Sequence, residues 1–175
     1  MNNYAISTNE LAQALQNSAS ALMVAGNDLD QAIALATAAN TVIQDYSKVS
    51  AGIRTISMRI TGATAEELQE AGEDAEGLIE TTAKLEKTVK SLTAVNGGKG
   101  ISILDDNGNF RDTYDILLDI AKIWEDIGKQ DKLDGKNRQN VLLEALAGYQ
   151  SLWIWKHIPK NIFNCKVNLK LYATI

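Results

Sequence analysis

The sequence predicts an all-α fold, a bundle of short amphipathic helices with a small β-hairpin-like excursion near residues 100–110. The composition is 45% hydrophobic, yet 175 residues include only one Pro and two Phe, a balance that favours helices over a β-sandwich. Capping residues followed by apolar residues at helical spacing also recur from Ser7 to Gly148, which predicts at least five helices. A chain of this length builds one small core.

Three helices are predicted in a first segment, residues 7–62. Each begins at a capping residue and carries one apolar face. The caps are Ser7 with Glu10, Asp28 with Gln31, and either Asp45 or Ser47. The apolar faces are Leu11, Leu15, Ala19 and Leu22; then Leu29, Ile33, Ala36, Asn40 and Ile43; then Val49, Ile53, Ile56 and Ile60. Gly26 and Gly62 end the first and third helices. Short joints predict a compact antiparallel group.

The second segment, residues 63–95, has a capping box at Thr64 and Glu67 for a short helix around Leu68, which Gly72 ends. A longer helix follows, with the heptad-like seam Leu78, Thr82, Leu85, Val89 and Leu92 and the surface pairs Glu80 to Lys84 and Glu86 to Lys90. A sustained coiled coil needs at least about three heptads. We therefore favour an amphipathic helix packed on its own domain over a coiled coil.

Residues 96–112 read as a Gly-rich hinge and turn. NGGKG at residues 96–100 breaks the helical pattern, and Ile101 to Leu104 with the DDNGN turn form the only strand candidate. Asp105, Asn107 and Asn109 match the first side-chain positions of a calcium loop. Phe110 and Ile116 stand where that loop needs Gly and a bidentate Glu, so a turn followed by a helix cap is favoured.

Two helices are predicted in residues 113–148. The first carries two adjacent apolar stripes, Ile116, Ile120, Ile123 and Ile127 beside Tyr114, Leu117, Ala121 and Trp124. So wide a face needs two neighbours: it packs between two helices, or half of it stays free for self-association. Asp134 is predicted to cap the last helix, with Val141, Leu142, Ala145 and Leu146 inward and Gly148 as its stop.

Residues 149–175 differ in composition from the rest of the chain. They hold four Lys and no acid, so residues 1–148 carry 13 bases and all 22 acids, a formal charge of −9. An acidic body disfavours specific nucleic-acid binding. This atypical basic and apolar tail lacks helical periodicity, which indicates out-of-frame sequence dispensable for folding; the rival interpretation is a basic segment that contacts a membrane or a partner.

No catalytic, cofactor-binding or metal-binding residue is predicted, and the chain is not expected to be an enzyme. The only His and Cys, His157 and Cys165, cannot assemble a zinc site, and the carboxylates fall at caps and on helix surfaces. A pair of glycosidase carboxylates far apart in sequence would leave no spacing signal. Arg54 and Arg59 flank the third apolar face and can bind an acidic partner; a solvated helix edge is the commoner explanation.

Three stretches together resemble the tape measure proteins of long-tailed phages and prophages. They are the Gly26 to Gly62 unit, with AGNDLDQAIAL and VSAGIRTISMRITGA; ELQEAGEDAEGLIETTAKLEKTVKSLT; and ISILDDNGNFRDTYDILLDIAKIWEDI with KNRQNVLLEALAG. The order of the three carries the resemblance, which spans Glu10 to Gly148. It implies a virion protein of the tail lumen, present in the host bacterial cytoplasm during assembly, that sets tail length, assists DNA ejection and has tail tube and tail assembly chaperone proteins as partners. The family supplies no catalytic residues.

The resemblance stops at Gly148, and tape measure proteins are far longer than this chain, so a truncated prophage copy is the expected identity. Two other function classes remain open. One is a helical adaptor whose Ile116 to Ile127 face binds a host protein, and the other is an enzyme such as a wall hydrolase. An intact gene standing alone would favour the adaptor, whereas a pocket with paired carboxylates would favour the enzyme.

Overall fold

The computed structural model describes residues 8–155, and the described part of the chain contains seven helices. The all-α prediction is confirmed. The helices are α1 Thr8–Val24, α2 Leu29–Ile43, α3 Tyr46–Ile60, α4 Ala65–Glu70, α5 Thr82–Thr93, α6 Thr113–Asp134 and α7 Arg138–Trp155. The predicted cap Ser7 and most of the basic tail, residues 156–175, lie outside the described residues.

Local capping starts several helices where the sequence predicts. Asp28 and Gln31 form a reciprocal capping box at α2, and Thr64 and Glu67 form one at α4. Of the two candidates for α3, Asp45 is the cap, because its carboxylate accepts the N–H groups of Ser47 and Lys48. These bonds satisfy amides that a helix N-terminus leaves without partners.

The helices share one hydrophobic core, which draws on every helix except the short α4. In the first group α1 packs on α3 and both contact α2. The predicted third face is confirmed, since Val49, Ile53, Ile56 and Ile60 are all buried. Small side chains let α2 approach its neighbours closely; its buried residues are Ala32, Ala34, Leu35, Ala36, Ala38, Ala39 and Asn40.

The predicted α2 face is wrong at its first member, because Leu29 is 67% exposed. Leu29 directly follows the cap at the end of the helix, where Met23 and Val24 of α1 are exposed too. The neighbouring helices leave these three side chains uncovered.

The helix predicted from Leu78 begins later, at Thr82. The side chain of Thr81 caps it by accepting the Lys84 N–H, which leaves Leu78 and Glu80 before the helix. The predicted Glu80 to Lys84 pair therefore loses its helical spacing, whereas the Glu86 to Lys90 pair forms at 2.7 Å between Oε1 and Nζ. Leu85 and Val89 join the common core, so α5 packs on its own domain as favoured above.

The β-hairpin-like excursion predicted near residues 100–110 does not appear as a pair of strands. Between residues 8 and 155 the structure has no strand, and the excursion is reduced to a single antiparallel bridge between Leu104 and Phe110. The amides before it are held by α5 instead of by a second strand. Ile101 N–H donates to Thr93 Oγ1 and Ile103 N–H donates to Glu86 Oε2, each at 2.7 Å.

The wide apolar face of α6 is covered within the chain. Ile116, Ile120 and Ile127 are buried, and Ile123 is half-buried against the same core. Helix α6 has neighbours on both flanks, since it contacts α7, α5, α2 and α3. The expectation that half of this face stays free is therefore wrong, and self-association through it stays a prediction.

The start of the last helix also differs from the prediction. Asp134 is the final residue of α6, and α7 begins at Arg138. The Asp134 carboxylate accepts from Arg138 at 2.6 Å, and this bond lowers the pKa of Asp134 to about 2. Val141 is 44% exposed instead of inward, while Leu142, Ala145 and Leu146 are buried as predicted. Gly148 interrupts α7, with φ 73° and ψ 172°, before the helix resumes to Trp155.

Candidate functional site

A groove of about 550 Å³ lies between α1, α3 and the residues that lead into and out of α4. It is lined by Asn17, Ser20, Ala21, Val24, Arg54, Met58, Thr61, Gly62, Ala63, Glu67 and Ala71. Its apolar lining consists of alanines with Met58 and the exposed Val24. Arg54 and Glu67 place opposite charges among these residues. Apolar contact surface with polar groups around it is what protein-binding grooves present.

One wall of the groove is held by an ion pair between α3 and the segment after α4. Arg54 Nε donates to Glu73 Oε1 at 2.5 Å, and Arg54 Nη2 contacts the same oxygen. The hydroxyl of Thr55 donates to the other oxygen of Glu73. Because Glu73 is buried, these bonds replace the water that its charge loses. Arg54 also donates to the carbonyl of Asn17 in α1, so it links both sides of the groove.

Arg59 lies one helical turn beyond this pair and is 1% exposed. Its Nη2 donates to the carbonyl oxygens of Asp74 and Glu76, each at 2.7 Å. Among the described residues its Nε and Nη1 have no hydrogen-bond partner. Burial lowers the pKa of the guanidinium, while the charge of Asp74 acts in the opposite direction. Arg59 therefore ties the loop after α4 to α3 from inside the protein.

Arg54 and Arg59 are expected at a solvated helix edge or facing an acidic partner, and the solvated edge is wrong for Arg59. Arg59 is inside the protein, and Arg54 already has an acidic partner within the chain, Glu73. The pattern of apolar residues in α3 did place the two arginines beside the buried stripe. It did not predict that the loop after α4 folds over them and supplies a carboxylate and two carbonyls.

Glu86 anchors the segment that follows the Gly-rich break. Its carboxylate accepts from Ser102 Oγ at 2.6 Å and from Ile103 N–H at 2.7 Å, beside Lys90. Burial disfavours the charged form, but the bonds from Lys90, Ser102 and Ile103 outweigh it and hold the pKa of Glu86 below its ordinary value. Residues 96–99 before this segment are exposed, and the hinge itself stays a prediction.

The residues that resemble a calcium loop form a turn. The Asp105 carboxylate accepts the N–H groups of Asn107 and Asn109, at 2.9 and 2.8 Å. The bond from the main-chain N–H of Asn109 is the largest of the causes that lower the pKa of Asp105. The turn is confirmed, but the helix cap expected after it makes no bond, since the Asp112 side chain at the N-cap position of α6 accepts no capping N–H.

In residues 8–155 no group of three or more His, Cys, Asp or Glu side chains could hold a metal ion. The same part of the chain contains no helix that is long and apolar enough to cross a membrane. His157, Cys165 and the rest of residues 156–175, which make up most of the basic tail, lie outside this description.

Comparison of the chain with known protein families, with curated proteins and with solved structures finds no match in any of the three. The function therefore has to be argued from the residues and their geometry.

Two buried polar residues, one of which holds the wall of the groove, give no local sequence signal. Glu73 lies in a run of small and acidic residues that predicts only a loop, and its partners Arg54 and Thr55 are 19 and 18 residues away. Asn27, which sits next to Gly26 at the end of α1, reads as a turn residue but is buried. The sequence alone does not show that such a carboxylate or amide is buried, because its hydrogen-bond partner is distant in the chain.

Proposed function

We propose that this chain is a structural component, or a truncated remnant, of a long-tailed phage or prophage tail that resembles the tape measure protein. The observation that carries the proposal is the order of the three resembling stretches along the sequence. They correspond to α2–α3, to α4–α5, and to the turn with α6 and α7, and residues of all three contribute to one core. A shared core supports treating the stretches as one unit instead of three unrelated helical segments.

In this proposal the protein acts as part of a tail assembly in the host bacterial cytoplasm and then in the lumen of the virion tail. Its partners are the tail tube and tail assembly chaperone proteins. Length control by this chain alone is not proposed. Even a fully helical chain of 175 residues would extend only about 260 Å at about 1.5 Å per residue, and the helices here fold back on one another.

The proposal is tested by copurification. The tagged chain is coexpressed with the tail tube and tail assembly chaperone proteins encoded in the same prophage, and at least one of them should be retained with it at physiological salt. Mass spectrometry of tails purified after induction of that prophage should detect peptides from residues 8–148. Tails assembled without such peptides, together with failure to retain either protein, would count against a tail function.

The truncation part of the proposal has a separate test. Nucleotide sequence around codon 149 is translated in all three frames. A helical, acidic continuation in another frame is expected if residues 149–175 are out of frame. An uninterrupted reading frame with no such continuation would contradict the frameshift and leave the tail function to the copurification test.

The groove between α1, α3 and α4 favours a second candidate function, a non-catalytic helical adaptor. Filling the groove with Ala21→Arg should abolish retention of a partner that binds there, whereas Ala83→Arg, on the exposed side of α5, should not. A partner retained equally by both variants does not use the groove. Loss with Ala21→Arg of a host protein, with tail proteins never retained, would favour the adaptor.

We propose no enzymatic activity for either candidate function. Peptidoglycan and peptide substrates should survive prolonged incubation with the purified protein. Turnover that disappears when a particular pair of carboxylates is changed to amides would overturn this part of the proposal.

A further inference from the structure

The chain contains three places where succinimide chemistry on the main chain is favoured, because an Asn or Asp precedes a glycine. They are Asn96–Gly97, Asn107–Gly108 and Asp134–Gly135. Glycine has no side chain to hinder its own nitrogen, and it tolerates the backbone geometry that brings this nitrogen toward the preceding side chain. The three sites share this chemistry, so the folded structure decides which of them reacts.

In two of the three sites the glycine nitrogen is held by a hydrogen bond. Gly108 N–H donates to the carbonyl of Asp105 at 3.1 Å, and Gly135 N–H donates to the carbonyl of Asp131 at 2.9 Å. The first bond closes the turn that the Asp105 carboxylate also stabilises. The second closes the end of α6. A nitrogen that must leave such a bond before it can attack reacts more slowly.

Asn96–Gly97 differs from both. Among the described residues neither the Gly97 N–H nor the Asn96 side chain makes a hydrogen bond. Asn96 is exposed and adopts a left-handed conformation with φ 52°. Apart from its two chain neighbours, no residue has a heavy atom within 4 Å of the position that a Cβ would take on Gly97. The pair is therefore open to water and free to rearrange.

We propose that Asn96 is a site of spontaneous deamidation in the folded protein, and that it reacts in preference to Asn107. The nitrogen of Gly97 attacks the side-chain carbonyl carbon of Asn96 and forms a new C–N bond. The side-chain amide C–N bond breaks, and ammonia leaves with the proton that Gly97 gives up through solvent. Water then opens the succinimide, at the side-chain carbonyl to give aspartate or at the main-chain carbonyl to give isoaspartate.

The product changes a segment whose two ends are fixed. Thr93, three residues before Asn96, is buried and accepts the Ile101 N–H at 2.7 Å. Gly100 lies so close to α5 that a Cβ on it would be 2.1 Å from the carbonyl oxygen of Lys90. Either product adds a negative charge to an already acidic body. Isoaspartate also inserts one methylene into the main chain between these two anchors.

Peptide mass spectrometry of the full-length protein tests the proposal, since trypsin separates the two Asn-Gly pairs into residues 91–99 and 100–111. During incubation of the folded protein at neutral pH, Asn96 should gain the mass of deamidation at least about fivefold faster than Asn107. That factor corresponds to the roughly 1 kcal/mol of one hydrogen bond. In a strong denaturant the two rates should converge, because the bond to Gly108 is lost.

The variant Asn96→Ala should remove the signal from residues 91–99 and leave that of residues 100–111 unchanged. Methylation of the released peptide by an isoaspartyl methyltransferase with S-adenosylmethionine identifies the isoaspartate product. Equal rates at Asn96 and Asn107 in the folded protein would overturn the proposal. A preference for Asn96 that is the same in denaturant would overturn its structural basis, because the rate difference would then come from sequence alone.

Discussion

The side chain of Asn27 caps α6, although the two are far apart in the sequence. Its Oδ1 accepts the main-chain N–H of Tyr114, 87 residues away, at 2.9 Å. Asp112, the residue in the N-cap position of α6, makes no side-chain capping bond. The Asn27 side-chain nitrogen meanwhile donates to the carbonyls of Leu22 and Ala25 at the end of α1. One buried amide thus satisfies groups at two helix ends.

Replacing this amide should cost more stability than its size indicates. Asn27→Ala leaves the buried Tyr114 N–H without its partner and removes the side-chain bonds to the carbonyls of Leu22 and Ala25, so we expect a loss of about 2–3 kcal/mol in the free energy of unfolding. Urea denaturation followed by circular dichroism measures it. Asn17→Ala, at an exposed position of α1, is the control and should change stability by less than about 0.5 kcal/mol. Similar losses in both variants would contradict the double cap.

Position 148 needs a glycine for two reasons, the close approach of Arg59 and the left-handed conformation of the backbone. A Cβ at Gly148 would lie 2.7 Å from Nη2 of Arg59, and the residue has φ 73°. Gly135 has a similar φ of 70°, but nothing lies within 4 Å of its Cβ position. Both alanine variants bear the left-handed penalty of about 1–2 kcal/mol.

Gly148→Ala should therefore destabilise the protein by at least about 1 kcal/mol more than Gly135→Ala, because the buried guanidinium has to move off two carbonyls. Paired thermal and urea unfolding measures the difference. Equal destabilisation of the two variants would mean that the contact between Arg59 and Gly148 is not tight.

The stability of the segment at residues 101–104 should depend on pH through Glu86. Its pKa in the folded protein lies below the ordinary value of 4.5. The folded state therefore binds the proton less readily than the unfolded state. The contribution of Glu86 is fully present above the unfolded pKa, and it is lost as the pH falls through the folded pKa.

Glu86→Gln should accordingly lower stability at neutral pH and flatten the acid limb of the stability profile below about pH 4.5. Urea midpoints measured across the acid range test this. Glu70→Gln, at the exposed end of α4, should leave the profile unchanged. An acid limb that is equally steep in wild type and in Glu86→Gln would assign the pH dependence to other carboxylates.

Substitutions on α6 should affect the protein differently at buried and at exposed positions. Ile127 is 0% exposed and Leu133, on the same helix, is 81% exposed. Ile127→Glu buries an unpaired charge and should abolish cooperative unfolding, whereas Leu133→Glu should be tolerated. Circular dichroism and light scattering of both variants provide the test. If Ile127→Glu stays helical and only lowers the apparent mass, this face mediates self-association after all.

Local chemistry was readable from the sequence for several contacts whose two partners lie within about one helical turn. The capping boxes Asp28–Gln31 and Thr64–Glu67 are of this kind, as is the pair Glu86–Lys90. The 4, 3, 4 spacing from Val49 to Ile60 likewise predicted a buried stripe, because spacing along one helix is enough to show which residues share a face. For the same reason the all-α class and most helix positions followed from the sequence alone.

Tertiary structure decided everything whose partner is remote. The amides of Ile101 and Ile103 bond to α5 instead of to a second strand, Leu78 stays outside α5, and the α6 face is covered on both flanks. Arg59 is buried and Arg54 is paired with Glu73, because the loop after α4 brings a carboxylate and two carbonyls to them. The spacing of apolar residues shows which residues share a face of one helix. It does not show which distant segment covers that face or forms hydrogen bonds with its polar groups.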